Sequence, residues 1–484
     1  MYSDNYRLIK RKFTWYNKKI QINVIDNKLV WGEGIKAVYM KNKQSFIAFI
    51  IVISLSGCFS RWQGDTAKIV ISFGSAGRAA YDSLEHKIIL TREEETLNFS
   101  FKGNATFEAY VAPGNWNVQV DSYLEGEIYA TGSKDVVLKL GQNNETITMD
   151  QSLSAKLGWL SANAVDGGDY IFTVDNDGTL APQNLSYNDK KISITLKGDT
   201  QERIIRLSGN GSLFTINSGV TLILDNNITL EGSRSNNASL IIINNGGELI
   251  MNAGSGITGN TVKYGGGVYI AGGTFTMTGG EIHHNKVDES GGGVTVAEGG
   301  EFYMEDGEIH HNEAGDIAGD SGFAGGVDVT GENVLFTMTG GKICNNTAFK
   351  GGGGGVAMST KPTFNMNGGT ISGNTAGQGG GVCAYEGTFT MTGGEISKNT
   401  ATNGSGGGVF MGSTSNKFTK TGGTIHGYSA EDENSNTVKR NTVAVNGYGH
   451  AVYVDFYPSK RRETTAGPKD DLNSDKNGSS GVWE

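Results

Sequence analysis

Hydrophobic and polar residues alternate in short runs that recur along the second half of the chain. Residues 265–285 read GGGVYIAGGTFTMTGGEIHHN and residues 379–399 read GGGVCAYEGTFTMTGGEISKN, so Val, Phe, Met and Ile return at matching places. Alternation with a period of two indicates β-strands with one buried face. Copies of about 25 to 30 residues separated by glycine turns are typical of a solenoid, in which each copy forms one coil.

The isoleucine of each copy sets the register, because it recurs at spacings of 25 to 34 residues and predicts eight coils. The isoleucines are Ile228, Ile257, Ile282, Ile309, Ile343, Ile371, Ile396 and Ile425. Six of them have an asparagine three residues later, at Asn260, Asn285, Asn312, Asn346, Asn374 and Asn399. We predict that these asparagines adopt the left-handed bend at a corner and that their amides stack into a structural hydrogen-bonded ladder.

Two strands of each copy carry the core pattern. The first places Val268 and Ile270 on one face, and the second does the same with Phe275 and Met277. One coil buries few apolar side chains, so the core must come from stacking. We therefore predict an all-β chain dominated by a right-handed parallel β-helix of the pectin-lyase-like type over residues 211–457, with three short strands in each coil.

Specific recognition is expected where the copies differ. An insertion at residues 313–323 interrupts the repeat. The outward residues of the first strand also vary between copies, and they are Tyr269, Thr295, Asp328, Ala357, Cys383 and Phe410. We expect these positions, together with the histidine pairs described below, to carry any ligand preference.

The regions on either side of the repeat have different sequence patterns. Residues 66–150 contain short alternating strands broken by turns, which predicts a small antiparallel β-sandwich similar to Ig-like or prealbumin-like modules. A spacer is the favoured role, and carbohydrate binding through exposed aromatic side chains is the alternative. Residues 151–210 are predicted to be a lead-in and N-terminal cap of the solenoid, and residues 458–484 a polar tail or cap. The aromatic candidates for carbohydrate binding in residues 66–150 are Trp116, Tyr123 and Tyr129.

The N-terminal region carries features of an export signal. Residues 40–57 combine a short basic start with the apolar run SFIAFIIVISLSG, which is too short for a transmembrane helix and typical of a signal peptide. The tetrapeptide LSGC at residues 55–58 resembles the lipobox of bacterial lipoproteins, which implies acylation of Cys58 and a tether over residues 58–65. A buried strand ending in a chance cysteine is the alternative. Residues 1–39 are predicted to be a mis-annotated or disordered leader, with translation starting at the methionine that opens the signal.

Composition and charge narrow the classes of function. The chain has 74 glycines and only 5 prolines among 484 residues, which fits repetitive β-structure better than a disordered linker or collagen. Three cysteines do not make a disulfide framework. Of the 40 basic and 50 acidic residues, ten basic and three acidic ones lie in residues 1–43, which leaves 30 against 47 from Cys58 onward. This acidic excess argues against nucleic-acid binding.

Two histidine pairs are candidate metal ligands, because His283 with His284 and His310 with His311 fall at equivalent places in adjacent copies. Imidazole nitrogens bind Zn²⁺. Neighbours along a strand point to opposite faces, however, so only His283 with His310, or His284 with His311, would share an ion. We favour stacked, partly exposed histidines without a metal, keep His283 and His310 as weak candidates, and predict no cofactor.

Acidic residues occupy one position in three copies, at Glu281, Glu308 and Glu395. Paired carboxylates serve glycoside hydrolases, and β-helix polysaccharide lyases combine acids with a basic residue. No arginine occurs between Arg234 and Arg440. A solvated acidic face is therefore the favoured interpretation.

The repeat resembles those of known bacterial surface proteins. Gly-Gly-x-Ile with Asn three positions after the Ile, in glycine-rich tandem copies over residues 211–457, is similar to the repeats of chlamydial polymorphic outer membrane proteins (Pmp-like) and of spirochaete β-helix lipoproteins. The chlamydial motif often has Phe at the Ile position. Residues 460–484 lack the amphipathic strands of an autotransporter barrel, so acylated Cys58 would replace the barrel as the anchor.

Together these features predict an exported, membrane-anchored lipoprotein at the outer membrane or cell surface. Its β-helix would serve adhesion or protein or glycan interaction without catalysis. The expected partners are the membrane, through acylated Cys58, and host or bacterial surface glycans or proteins, with no nucleic acid. A carbohydrate-active enzyme, either a polysaccharide lyase or a glycoside hydrolase, is the alternative and would require a groove that gathers acids with lysine or arginine.

Overall fold

The structure, a computed structural model, covers nearly all of the repeat region. It describes residues 66–73, 84–103, 106–124, 126–315, 322–413, 416–427, 441–443 and 451–454. It also describes the backbone of five strands outside these ranges, whose bounds are given below. The predicted signal peptide, Cys58 and the tether lie outside the described residues, as do residues 316–321 of the long insertion.

In the described backbone near the N-terminus, four strands pair into one antiparallel sheet. They are Ile9–Trp15, Lys18–Ile25, Lys28–Trp31 and Val38–Tyr39, in that order. The pairing is local along the chain, since each strand pairs with the one that follows it. The prediction that translation starts after these strands, at the methionine that opens the signal peptide, is not tested by this pairing and stays a prediction.

The predicted small β-sandwich is confirmed, and it consists of two sheets in the described residues. The order of the first sheet is Glu127–Leu138, Gly114–Leu124, Glu85–Arg92 and Glu95–Lys102. The order of the second is Gly141–Ile147, Ala67–Phe73 and Phe107–Val111, with the first two strands parallel and the last two antiparallel. Alternate residues such as Ile69, Ile71 and Val118 are fully buried, which explains the period-two pattern of these strands.

Trp116 is part of this buried interior. Its side chain is 1% exposed, and its Nε1 donates a hydrogen bond to the carbonyl oxygen of Ala112 at 2.9 Å. The guanidinium of Arg92 lies 4.7 Å from the centre of the indole ring and covers it. The prediction of an exposed tryptophan for sugar stacking was therefore wrong, because the strand alternation places this residue on the inward face.

A short helix, Leu153–Asn163, precedes the solenoid and was not predicted. Its N-cap is Ser152, whose hydroxyl oxygen accepts a hydrogen bond from the backbone N–H of Ala155. Leu157 and Leu160 are buried and belong to the same apolar cluster as the first coils. In the described residues, no helix has both the length and the apolar character that crossing a membrane requires.

The predicted parallel β-helix is confirmed, and its strands stack in four columns named here by their inward residues. In chain order, each coil from the one with Ile241–Asn244 to the one with Val409–Met411 contributes to the Val column, the Phe column, the Ile column and a fourth, short column, whereas the described coils before these contribute only to the first three. The sequence pattern predicted three strands per coil and missed the fourth. Parallel pairing begins at Gly168–Val174, so the predicted lead-in already contributes coils.

The strand bounds follow this plan in the described residues. The Val column is Gln183–Leu185, Phe214–Ile216, Ile241–Asn244, Val268–Ala271, Val294–Ala297, Val327–Thr330, Val356–Ser359, Val382–Ala384, Val409–Met411 and Val452–Val454. The Phe column is Gly168–Val174, Ile192–Gly198, Val220–Leu224, Glu248–Met251, Thr274–His283, Glu301–His310, Leu335–Met338, Thr363–Met366, Thr388–Met391 and Lys417–Lys420.

The other two columns complete each coil. Thr274–His283 and Glu301–His310 are long enough to cross from the Phe column into the Ile column. The remaining strands of the Ile column are Gly178–Leu180, Arg203–Leu207, Ile228–Glu231, Ser255–Thr258, Lys342–Cys344, Thr370–Ser372, Glu395–Ser397 and Thr424–Ile425. The short column is Thr261–Tyr264, Lys286–Ser290, Glu313–Ala314, Thr347–Gly352, Thr375–Gln378, Thr400–Ala401 and Thr442–Val443.

The core of the solenoid is a set of aligned rows of identical side chains. The clearest is a stack of phenylalanine rings with centroids 4.6 to 5.0 Å apart and planes inclined by only 5 to 14°. Its members are Phe275, Phe302, Phe336, Phe364, Phe389 and Phe418, all 3% exposed or less. The spacing matches the distance between neighbouring strands, so each ring packs on its counterpart in the next coil.

The last described coil is covered along the Phe column by a strand of opposite direction. Lys476–Ser479 pairs antiparallel with Lys417–Lys420. An edge strand of a stacked sheet would otherwise leave its backbone groups open to pairing with another chain. This strand therefore blocks continuation of the parallel ladder on that column.

Candidate functional site

The predicted asparagines form a continuous row at the corner after the Ile column. At Asn312, the backbone N–H and the Nδ2 amide both donate to Oδ1 of Asn346, at 3.0 and 3.1 Å, and Nδ2 also donates to the carbonyl oxygen of Ile282. The row continues from Asn399 to Asn441 with the same pattern. The asparagine side chains are 0% exposed. Their hydrogen-bonding groups are used inside the protein, so the row stabilises the corner and is not a ligand site.

The left-handed bend lies one residue before each asparagine, and its predicted place on the asparagine itself was wrong. A residue with positive φ turns the chain so that the following side chain enters the interior and bonds along the rod. Glycine adopts this conformation freely, while other residues do so at a cost. The residues in the bend are Gly259 (φ 71°), His284 (54°), His311 (52°), Asn345 (56°), Gly373 (69°) and Lys398 (59°).

The outer side of the Val column is covered, which overturns the expectation that its variable residues carry specificity. Thr295, Asp328, Ala357, Cys383 and Phe410 are all 7% exposed or less, and of the six candidates only Tyr269 is half-exposed. The cover is the glycine-rich stretch that starts at the end of the short-column strand and leads to the next Val strand. A Cβ added at Gly352 would lie 2.5 Å from Sγ of Cys383, and one at Gly291 would lie 1.9 Å from Oγ1 of Thr295. Triple glycines directly before five of the Val strands, at residues 265–267, 291–293, 353–355, 379–381 and 406–408, were the available signal for this second layer.

Asp328, on the same outer side of the Val column, is a buried carboxyl group that is 7% exposed. It lies opposite Thr295 in the strand register, and in the described residues Oγ1 of Thr295 has no hydrogen-bond partner. Burial raises the pKa of Asp328 from 3.8 to about 7. The thiol of Cys383, two coils further along, has its pKa raised to about 12 for the same reason. These groups are shielded from solvent and are poor candidates for contacts with a large ligand.

The outer side of the Phe column is accessible, and we name its outward residues from six coils the hydroxyl face. Two residues of each strand point outward because Phe and Met point inward. These residues are Thr274, Thr276, Glu301, Tyr303, Leu335, Thr337, Thr363, Asn365, Thr388, Thr390, Lys417 and Thr419, all half-exposed or exposed. At about 4.8 Å per strand, the face extends over roughly 24 Å along the stack.

The two histidine pairs converge into one cluster, here called the histidine quartet. Nδ1 of His283 lies 2.7 Å from Nδ1 of His284, and Nδ1 of His310 lies 2.8 Å from Nδ1 of His311. Rings at equivalent positions stack, with centroids 5.0 Å apart for His283 and His310 and 5.4 Å apart for His284 and His311. The expectation that neighbours point to opposite faces was wrong here, because the second histidine of each pair occupies the left-handed bend and strand alternation ends there.

Neighbouring polar groups orient the quartet. Oε2 of Glu281 lies 3.3 Å from Nε2 of His310, and Oγ1 of Thr258 lies 3.1 Å from Nδ1 of His283. Burial, together with the other histidines, lowers the pKa of His283, and the same causes lower the pKa of His311. In the part of the chain that the structure describes, no three His, Cys, Asp or Glu side chains are grouped so that they could hold a metal ion. The quartet therefore offers pairs of imidazoles and not a complete ligand set.

The three equivalent acids each face a nitrogen base. Oε1 of Glu308 lies 2.5 Å from Nζ of Lys342, while Glu281 contacts His310. Oε1 of Glu395 lies 3.4 Å from Nε2 of His426. A glycosidase needs two carboxyl groups that face each other across an open site. The row of acids does not provide this arrangement.

A shallow cleft of about 590 Å³ lies against the first coils. Its lining includes Asp169, Asp189, Lys191 and Glu248, so acids and a lysine are gathered in one place. Oε2 of Glu248 accepts a hydrogen bond from the hydroxyl of Thr221 at 2.9 Å. The sequence did not identify this cleft, because its residues come from four successive coils between residues 167 and 248, where the repeat pattern is weakest.

Comparison of the chain with models of protein families, with curated proteins and with solved structures found no match. The parallel β-helix therefore rests on the strand pairing described above. The similarity to Pmp-like repeats and to spirochaete lipoproteins stays a prediction from the sequence motif.

Proposed function

We propose that this chain is an exported, lipid-anchored cell-surface protein whose β-helix binds glycans or proteins without catalysis. The observation that supports this function best is the hydroxyl face. It combines threonine hydroxyls, the Tyr303 ring and scattered charges in regular rows, and it lies on strands whose other side is a continuous core. Surfaces of this kind bind through many weak polar and aromatic contacts.

The interior favours such a role because it fixes the surface before binding. The phenylalanine stack and the asparagine row connect each coil to the next, so the outward side chains are held at a constant strand spacing. A rigid surface loses little conformational entropy when it binds a partner. Weak individual contacts can then add up to useful affinity.

The anchor is proposed to be Cys58, acylated after cleavage of the signal peptide. Expression of the full chain in a bacterial host, followed by membrane fractionation and mass spectrometry, tests this. We expect a membrane-associated product whose N-terminal peptide begins at a lipid-modified Cys58. Cys58→Ser should yield an unmodified protein; detection of peptides from residues 1–39 in the mature wild-type protein would contradict the proposal.

Adhesion is tested by a screen of the full chain against arrays of glycans and of host-matrix proteins. Thr276→Arg and Thr390→Arg place a long cation on the hydroxyl face and should weaken binding of any identified partner by at least about tenfold. Thr375→Arg is the matched control, because Thr375 is a half-exposed threonine on the short column, at the first position of its strand. Equal effects of all three substitutions would exclude the hydroxyl face as the contact surface.

A carbohydrate-active enzyme is the second candidate, and the cleft at Asp169, Asp189, Lys191 and Glu248 is the observation that favours it. Lyases neutralise a uronate carboxylate and remove a proton with basic groups, and Lys191 could serve in either role. Assays with polyuronate and neutral polysaccharide substrates test this function. Turnover by the wild-type protein that is lost in Lys191→Ala would support the enzyme and contradict the adhesion proposal. No turnover on either substrate class supports the adhesion proposal.

A further inference from the structure

We propose that the histidine quartet binds one Zn²⁺ ion per chain, through the two Nδ1 atoms of a single histidine pair. In each pair the two Nδ1 atoms already point at each other, at 2.7 Å for His283 and His284 and 2.8 Å for His310 and His311. Such a contact between two imidazoles requires one proton between them. A metal ion can take the place of that proton.

The change in geometry is small. Zn–N distances of about 2.0 to 2.1 Å at a tetrahedral ion place two ligand nitrogens roughly 3.3 Å apart. Each pair therefore needs to open by only about 0.6 Å. His284 and His311 are exposed, so their rings can move and water can fill the remaining positions around the ion.

The pair His310 and His311 is the better site. Nε2 of His310 lies 3.3 Å from Oε2 of Glu281, so a carboxylate can accept a hydrogen bond from the nitrogen opposite the ligating Nδ1. Carboxylates in this outer position orient imidazole ligands and strengthen metal binding. The equivalent position one coil earlier is Gly256, so His283 and His284 lack this support.

Only one of the two pairs is expected to hold an ion at a time. Equivalent rings of the pairs are 5.0 and 5.4 Å apart, so two bound ions would lie at about the same separation. Repulsion between two divalent ions at that distance weakens the second binding event by more than about a hundredfold, even in water. The expected stoichiometry is therefore one.

Titration calorimetry of the full chain with ZnCl₂ at neutral pH tests the site. His311→Asn should weaken binding at least about fivefold, because the ion moves to the unsupported pair, and His284→Asn should change the affinity less than about twofold. The double variant should lose binding altogether. Asparagine keeps the left-handed bend intact, since Asn345 occupies the same place in the next coil.

The control is His426→Asn, which removes a histidine beside Glu395, outside the quartet, and should bind Zn²⁺ like the wild type. Circular dichroism confirms that each variant is folded. Wild-type binding that survives in the folded double variant would overturn the proposal. Loss of binding in both single variants would also contradict it, because the ion would then lie between the pairs.

Discussion

Nδ2 of Asn312 donates to Oδ1 of Asn346 at 3.1 Å, and both side chains are fully buried. The same oxygen accepts the backbone N–H of Asn312, so a single amide oxygen serves two donors of the neighbouring coil. Nδ2 of Asn346 in turn donates to Oδ1 of Asn374 and to the carbonyl oxygen of Ile309. Removing one asparagine therefore leaves unsatisfied groups in the coils on both sides.

We expect Asn346→Ala to lower the free energy of unfolding by about 2 to 5 kcal/mol, because two buried donors of Asn312 lose their acceptor. Urea denaturation followed by circular dichroism measures the change. Asn365→Ala is the matched control, since Asn365 is a half-exposed asparagine of the hydroxyl face and its loss should cost less than about 0.5 kcal/mol. Similar losses in the two variants would show that the buried row is not a main source of stability.

The phenylalanine stack predicts that two adjacent residues of one strand differ in how much their replacement lowers stability. Phe336 is fully buried between Phe302 and Phe364, with ring centroids 4.8 and 4.6 Å away. Phe336→Ala should cost about 3 to 5 kcal/mol through lost burial and the cavity left behind. The adjacent Leu335 points outward, so Leu335→Ala should cost less than about 1 kcal/mol. If the two variants had nearly equal denaturation midpoints, this would contradict the assignment of Phe336 to the inward face and of Leu335 to the outward face.

Asp328 should make stability depend on pH. Because burial raises its pKa in the folded state to about 7, the folded protein keeps a proton that the unfolded chain releases near pH 4. The contribution of Asp328 to the free energy of unfolding is therefore highest below about pH 4, where the carboxyl is protonated in both states. It decreases as the pH rises from about 4 to 7, and the protonated carboxyl no longer contributes above about pH 7. Relative to wild type, Asp328→Asn should gain about 2 to 4 kcal/mol between pH 4.5 and pH 8.

Urea denaturation at pH 4.5, 6 and 8 measures this difference. The control is Asp288→Asn, which makes the same substitution at an exposed carboxyl group. A constant difference between Asp328→Asn and wild type across this range would show that the carboxyl is solvated in the folded protein.

The glycine-rich cover of the Val column predicts a protected thiol. Cys383 is fully buried beneath Gly352, and its pKa is raised to about 12, so iodoacetamide should not modify it in the native protein. Gly352→Ala inserts a methyl group 2.5 Å from Sγ and should cost about 1 to 3 kcal/mol. Alkylation of Cys383, followed by mass spectrometry, should then accelerate at least about tenfold as the cover opens.

Gly158→Ala is the corresponding control. Gly158 lies inside the helix Leu153–Asn163, and a Cβ there would meet no atom within 4 Å. Its replacement by alanine should leave Cys383 protected and raise stability by up to about 1 kcal/mol. Rapid alkylation of Cys383 in the wild-type protein would show that the glycine-rich cover does not shield the thiol.

Local sequence pattern was sufficient to predict the parallel β-helix and its core. Period-two alternation identifies which side of a strand is buried, and recurrence every 25 to 34 residues aligns identical residues in successive coils. Phe336 and Asn346 were therefore assigned to the core and to the corner row from the sequence alone. The helix Leu153–Asn163 was missed because it lies outside the repeat and its apolar face is narrow.

The sequence by itself determined the repeat, the inward rows and the asparagine positions, because these depend on side-chain alternation within one strand. Only the tertiary structure decided which outward residues remain accessible. Cys383 and Asp328 lie on the outward side of the Val column yet are buried, Cys383 under a glycine-rich layer, and His283 meets His284 because a left-handed bend interrupts the alternation. Both effects arise where the chain leaves a strand, and there the path of the backbone, not the period of the pattern, sets what each side chain contacts.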